Sequence, residues 1–293
     1  MHGALALSQG VLHVARPSAR VEIVPYDLDG RPLGRGFRVR GLAGSRVELA
    51  AIACDVDRRI WAVDSSSRAL RGFNVFGLEL FAWRDDAVEE LDRPARIGRP
   101  VGIATTGVET DLRLLVASAG ERRHALHWVD PVERTALSMR PLGDPNERFR
   151  RLAGVALDGA LAAACEVGAQ RVQVFRSGEF HFAFRCPPAP GTGSSFEPRA
   201  IAILPDARFV VACGGGASGV LLFRGDGMLE RVLAHDGLED GCVFEPSAVA
   251  VEPGRLEAET RIAVIDRDGA RVQLFGLDGR AFGAFLDPSE ARV

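Results

Sequence analysis

Apolar residues in this chain fall into short runs broken by turn residues, not into long stripes. "RVQVF" begins at Arg171 and "RVQLF" at Arg271, each followed by a turn glycine and then a phenylalanine six residues on (Gly178 to Phe184, Gly279 to Phe285). The aromatic closing each run recurs as Tyr26, Phe73, Trp128, Phe175, Phe223 and Phe275, a spacing of about 50 residues. Upstream of each lies a second apolar run ("VLHVA", "IWAVD", "LLVAS", "LAAAC", "FVVAC", "IAVID"), usually preceded by a third such as "AAIACD" or "PRAIAI". After each aromatic comes a turn, then a more alternating run such as "LELFAW" or "EFHFAF". Val, Ile, Leu and Phe dominate these runs, as strands prefer, and Asp-Gly and Ser-Gly dipeptides supply turns that need positive φ. No segment keeps a 3.6-residue period long enough for a helix; "DDAVEEL" from Asp85 predicts one short helical turn at most.

Four strands per unit, six times over, predict an all-β fold: a six-bladed β-propeller of four-stranded antiparallel blades, a single domain over 1–293. A closed ring protects its sheet edges, whereas a β-solenoid would use shorter repeats and capping ends. The N-terminal "ALAL" reads as the first blade's own inner strand and not as a clasp. The Gly-His and Trp-Asp marks of WD40 repeats are missing. "IAVIDRDGARVQLFGLDGRAFGAF" (262–285) instead resembles the NHL repeat, and the likeness weakens toward the first and third units. The resemblance implies a pair within each blade between a strand-ending Asp and the Arg after the next turn. Asp266 and Arg271 fit it; Asp64 keeps the acid, while Ser118, Cys165 and Cys213 read as its replacements elsewhere. Such a pair stiffens a hairpin and performs no chemistry.

A chain of 293 residues with 47% hydrophobic content can bury a large core. No apolar run approaches the ~20 residues that span a bilayer, and "MHGALALSQG" lacks a secretory leader. Five cysteines without a CxxC pair predict neither a disulfide framework nor a zinc site. Cys165 and Cys213 read as small buried hydrophobes at one repeat position, in a reducing, cytoplasmic compartment. All 36 basic residues are arginine, and the net charge of -3 gives no overall pull toward nucleic acid or membrane.

If strands run outward from the channel, the blade-to-blade loops share one face with the turns between second and third strands. The longest irregular segments, 84–100, 140–151 and 186–198, then gather on that face. "FEPRAIAI" and "FEPSAVAV" put Glu197 and Glu245 at the channel mouth, with Arg99, Arg151 and Arg199 near the same level. Such a rim can hold a partner's charged side chains or a polar ligand. "GGGASG" (214–219) matches a dinucleotide fingerprint, but the strand "VLLF" follows where a helix is needed. In "DRDG" (266–269) a calcium ligand would be required at Val264. His124 and His127 point to opposite faces of a strand. Gluconolactonase-like propellers hold a divalent cation with Glu, Asn and Asp oxygens, yet the only asparagines are Asn74 and Asn146.

These residues predict a non-catalytic scaffold that docks a protein or peptide, with no cofactor and no metal. Two rival readings stand beside it. One is a ligand sensor or metal-dependent, lactonase-like enzyme using Glu197 and Glu245. The other is single-stranded RNA binding through arginines at 92–99 and 148–151.

Overall fold

The structure is a computed structural model that describes residues 3–16, 21–84, 97–107, 111–119, 124–139, 149–189, 193, 195–267 and 270–286. Its strands form six antiparallel blades. The first contains β1 (Ala4–Ser8), β2 (Val11–Ala15), β3 (Glu22–Tyr26) and β4 (Phe37–Arg38). The second contains β5 (Leu49–Cys54), β6 (Ile60–Asp64), β7 (Ala69–Phe73) and β8 (Glu79–Arg84). The third follows with β9 (Pro100–Thr106), β10 (Arg113–Ala119), β11 (His124–Asp130) and β12 (Thr135–Met139). The fourth comprises β13 (Leu152–Asp158), β14 (Leu161–Glu166), β15 (Arg171–Arg176) and β16 (Glu179–Arg185). In the fifth are β17 (Phe196–Ile203), β18 (Phe209–Gly215), β19 (Gly219–Phe223), β20 (Leu229–Asp236) and a short parallel edge strand β21 (Cys242–Val243), an addition that the repeat did not predict. The sixth closes the chain with β22 (Ala248–Glu252), β23 (Arg261–Asp266), β24 (Arg271–Phe275) and β25 (Ala281–Phe285). The helical turn predicted at Asp85 lies outside the described residues.

Each innermost strand touches its counterparts in the neighbouring blades, and β1 meets β22 to complete the ring. Among the described residues no strand is exchanged at this seam, since β1 pairs with β2 of its own blade. Packing holds it instead: Leu5, Leu12, Val14 and Tyr26 from the first blade join Ala263, Ile265, Val272 and Leu274 from the sixth. Removing that apolar surface from water is the main force closing the ring.

The repeated Gly-to-Phe spacing has a packing cause. Phe184 stacks against Phe223 in the next blade at 4.7 Å between ring centroids, and Phe285 against Tyr26 across the seam at 5.2 Å. Phe37 meets Phe73 at 5.5 Å in the same way. Each phenylalanine also covers the next blade's hairpin glycine. A Cβ on Gly227 or Gly30 would lie 2.7 Å from the Phe184 or Phe285 side chain. With φ of +81 at both positions, those glycines are required twice over, by the turn and by the ring above it.

Two alignments made from pattern alone shift by one residue. Val129, not Trp128, occupies the aromatic position of the third blade and faces the second blade with Trp61 and Leu70. Trp128 faces the fourth blade, against the cluster containing Phe149 and Phe175. A one-residue slip in a strand reverses the face. The same slip separates Cys165, which pairs with Val172, from Cys213, which pairs with Gly219. They enter one interface from opposite sides, where Cys186 joins them.

Candidate functional site

One hydrogen bond recurs where the chain enters the second, third, fourth and sixth blades. The carbonyls of Glu48, Arg99, Arg151 and Phe244 accept from the amides of Ser65, Ala119, Val167 and Arg267, at 2.9, 2.7, 3.0 and 2.9 Å. Each donor stands at or just past the end of a second strand, so blade-to-blade segments and the second-to-third-strand turns share one face. There the central cavity of about 600 Å³ opens, with aliphatic walls from Ile52, Ile103, Val155, Ile201 and Val249.

Buried carboxylates brace these entries. Asp64 accepts from the Glu48 amide at 3.0 Å, and Asp266 from the Phe244 amide at 3.1 Å. Glu166 does the same for the Arg150 amide, and also accepts from Arg171 Nε at 2.6 Å and Gln173 Nε2 at 2.9 Å. All three are fully buried. The strand-ending acid of the fourth blade is therefore Glu166 and not a replacement by Cys165. Asp266 forms the expected pair, with Arg271 Nε at 3.0 Å and Nη2 at 2.6 Å. In the third blade Ser118 and Ser138 hydroxyls flank the buried His127 ring at 3.0 and 3.1 Å.

Four of the five predicted site residues converge on the channel: Arg99, Arg151, Arg199 and Glu245. Glu48 joins them; pattern reading missed it, although "VELAAIAC" enters an inner strand just as "RPVGIAT" does. Arg99 Nη2 lies 3.6 Å from Glu48 Oε1, and Arg199 is ion-paired with Glu245. Glu245 also accepts from the Gly215 amide at 3.3 Å, while its own amide donates to Ser218 Oγ at 3.0 Å. Arg151 makes no side-chain hydrogen bond or ion pair among the described residues. Arg151 and Glu245 adopt left-handed φ of 56° and 49°, conformations that non-glycine residues take only under constraint. Glu197 faces away from the channel into a second cavity of about 480 Å³, beside Arg150, Arg151 and Arg185. It leans over Gly215, where a Cβ would approach its Cδ within 2.6 Å.

Among the described residues, no three His, Cys, Asp or Glu side chains stand where they could hold a metal ion. Asn74 is spent in a turn, its Oδ1 accepting from the Phe76 and Leu78 amides at 3.0 and 2.9 Å, and Asn146 lies outside the described residues. The described residues thus gather no acidic set, and in Asn74 no free amide, for a gluconolactonase-like cation. "GGGASG" forms the β18–β19 hairpin and opens no helix. Burial pushes the Cys165 and Cys213 thiols well up, with the Cys186 thiol adding to this, and burial followed by the Asp55 charge pushes Cys54 to about 12. Burial lowers the His124 pKa, an effect that Glu166 opposes and Arg151 reinforces. No helix among the described residues is long and apolar enough to cross a membrane.

No family model matches the chain, and no curated protein is similar to it in sequence. Solved structures are similar in fold. A gluconolactonase from Xanthomonas campestris is 15% identical, with a TM-score of 0.57 over 94% of this chain and 83% of its own. Virginiamycin B lyase from Staphylococcus aureus, in a complex with quinupristin, is 12% identical, with a TM-score of 0.61 over 98% and 85%. A chain of the COPII outer coat vertex is 10% identical, with a TM-score of 0.61 over 98% and 75%. At such identities the likeness is one of fold alone.

Proposed function

We propose that the protein is a non-catalytic binding module of NHL-like type, a single cooperative domain over 1–293. It docks a protein or peptide on its loop-rich face and takes a carboxylate-bearing side chain at the channel mouth. The carrying observation is the rim. Two acid–base pairs, Glu48–Arg99 and Arg199–Glu245, neutralise each other, while Arg151 stands unpaired among the described residues above aliphatic walls. An unpaired guanidinium over an apolar cavity suits an acidic anchor, because charge-assisted bonds strengthen where water is displaced. The five free cysteines agree with a reducing, cytoplasmic setting.

The test is selection of a random peptide library on immobilised protein. Wild type should enrich sequences carrying a carboxylate at a fixed position. An Arg99→Glu/Arg151→Glu variant should lose that enrichment by about tenfold with its melting temperature unchanged. Undiminished enrichment would overturn the proposal. Arg199 is a poorer choice, because its pair with Glu245 is closer and less exposed than Glu48–Arg99, so reversing it costs more stability.

A second reading, a small-ligand site or hydrolase, draws on the enzymes among the fold neighbours and on a channel volume within the range of small-molecule sites. A melting-temperature rise of several degrees with one lactone or divalent cation would favour it, since ligands that bind only the folded state stabilise that state. A flat response would leave the docking reading in place.

A further inference from the structure

The second cavity, beside the channel mouth, carries more positive charge than the fold uses. It is lined by four arginines, Arg150, Arg151, Arg171 and Arg185, and one acid, Glu197. Only part of this charge has a structural partner. Arg171 commits its Nε to Glu166 at 2.6 Å, and Arg185 gives one Nη1 bond to the Ala169 carbonyl at 3.3 Å. Both Nη groups of Arg171, and the whole guanidinium of Arg150 and of Arg151, make no hydrogen bond among the described residues. Glu166 is buried and pairs with Arg171, which leaves Arg150, Arg151 and Arg185 facing one acid, Glu197, among the described residues.

The strand register sharpens the point. Arg171 on β15 sits directly opposite Arg185 on β16. Like charges facing each other across a strand pair are destabilising, and nothing in the blade's packing calls for the second arginine. The cavity wall is nevertheless held firmly. The turn after β14 bonds back onto the entering segment, from the Val167 amide to the Arg151 carbonyl and from the Gly168 amide to the Arg150 carbonyl, both at 3.0 Å. Gly168 has no room for a side chain, since a Cβ would meet the Arg150 carbonyl oxygen at 2.9 Å. The backbone that carries Arg150 and Arg151 is thus fixed before any ligand arrives.

We propose that this cavity binds a small, multiply charged phosphate-bearing molecule. Planar guanidinium forks match phosphate oxygens two at a time, and several unspent forks around one space require a ligand with more than one negative charge. A volume of about 480 Å³ admits a diphosphate with a modest substituent. The site shares only Arg151 and Val167 with the channel and stands without the docking reading.

Titration calorimetry at low ionic strength, with inorganic pyrophosphate as the probe, tests it. Wild type should bind one pyrophosphate per chain, and more tightly than citrate. Arg185→Gln and Arg150→Gln should each weaken binding by about tenfold, while Arg99→Gln at the channel rim leaves it unchanged. Arg185 is exposed, so its variant folds. Without ligand that variant should melt no lower than wild type, because it relieves the Arg171–Arg185 repulsion. The proposal is overturned by absent binding to wild type, by equal affinity in all variants, or by citrate binding as tightly as pyrophosphate. It is equally overturned if a single-stranded oligonucleotide displaces pyrophosphate at far lower concentration, which would point to a nucleic-acid backbone. Arg151 lines both spaces, so peptide selection by an Arg99→Glu single variant bears on the channel mouth, and these affinities bear on the second cavity.

Discussion

The fourth and sixth blades begin their third strands with nearly the same words, "RVQVF" and "RVQLF", yet use the shared arginine differently. In the sixth blade Arg271 is 1% exposed and wholly engaged. It holds Asp266 through two nitrogens, and it donates to the carbonyls of Leu238 and Cys242 at 2.9 and 3.0 Å. In the fourth blade Arg171 keeps only the Nε bond to Glu166 and opens the rest of its fork to a cavity. The difference lies outside the repeat itself. The segment after β20, with its edge strand β21, folds over the sixth blade and supplies carbonyls to Arg271. In the fourth blade the corresponding space is lined by Arg150, Arg151 and Arg185. One repeated hairpin can therefore be a closed structural corner or an open binding corner, depending on which neighbours its arginine meets.

What the two hairpins share should give the largest effect. Phe184→Ala removes a buried ring packed on Phe223 and Gly227 and should cost about 3–5 kcal/mol in urea unfolding. Phe285→Ala, at the partly exposed seam, should cost less. Equal losses would mean that the seam is packed as tightly as an internal interface. A smaller effect separates the interfaces by their thiols. Cys165, Cys186 and Cys213 lie at the boundary of the fourth and fifth blades, and no cysteine belongs to the cluster at the sixth-to-first seam. Native protein should label slowly at pH 8 at Cys165 and Cys213, whose thiols burial holds well above their usual range, and at Cys54, held at about 12. Labelling as fast as in urea would show that this boundary opens.

Much of the ring was legible because its signals are local. Turn glycines and β-branched runs follow from one hairpin's own requirements, the Gly-to-Phe spacing recurs because each blade meets the next in the same way, and the Asp266–Arg271 pair lies within one hairpin. The site was less legible because it depends on register. Glu166 escaped a reading that ended the second strand at Cys165, although it faces Arg171 across the strand pair just as Asp266 faces Arg271. Glu48 was missed because its charge differs from that of Arg99 and Arg151, although its backbone does the same work. Glu197 was expected in the channel on the strength of its likeness to Glu245. Its side chain instead turns over Gly215 toward the fourth blade's arginines, a direction that no sequence period encodes.

The central claim, one repeated arginine spent on structure and its copy left free for binding, is tested most directly by paired urea unfolding of Arg271→Met and Arg171→Met. Removing Arg271 leaves the buried Asp266 carboxylate without its counter-charge and with only the Phe244 amide among the described residues, and should cost about 3–5 kcal/mol. Removing Arg171 leaves Glu166 its two other donors and relieves the repulsion with Arg185, so the loss should be about 1 kcal/mol. A gap of about 2 kcal/mol or more is the predicted result; equal losses, or a larger loss at Arg171, would contradict it.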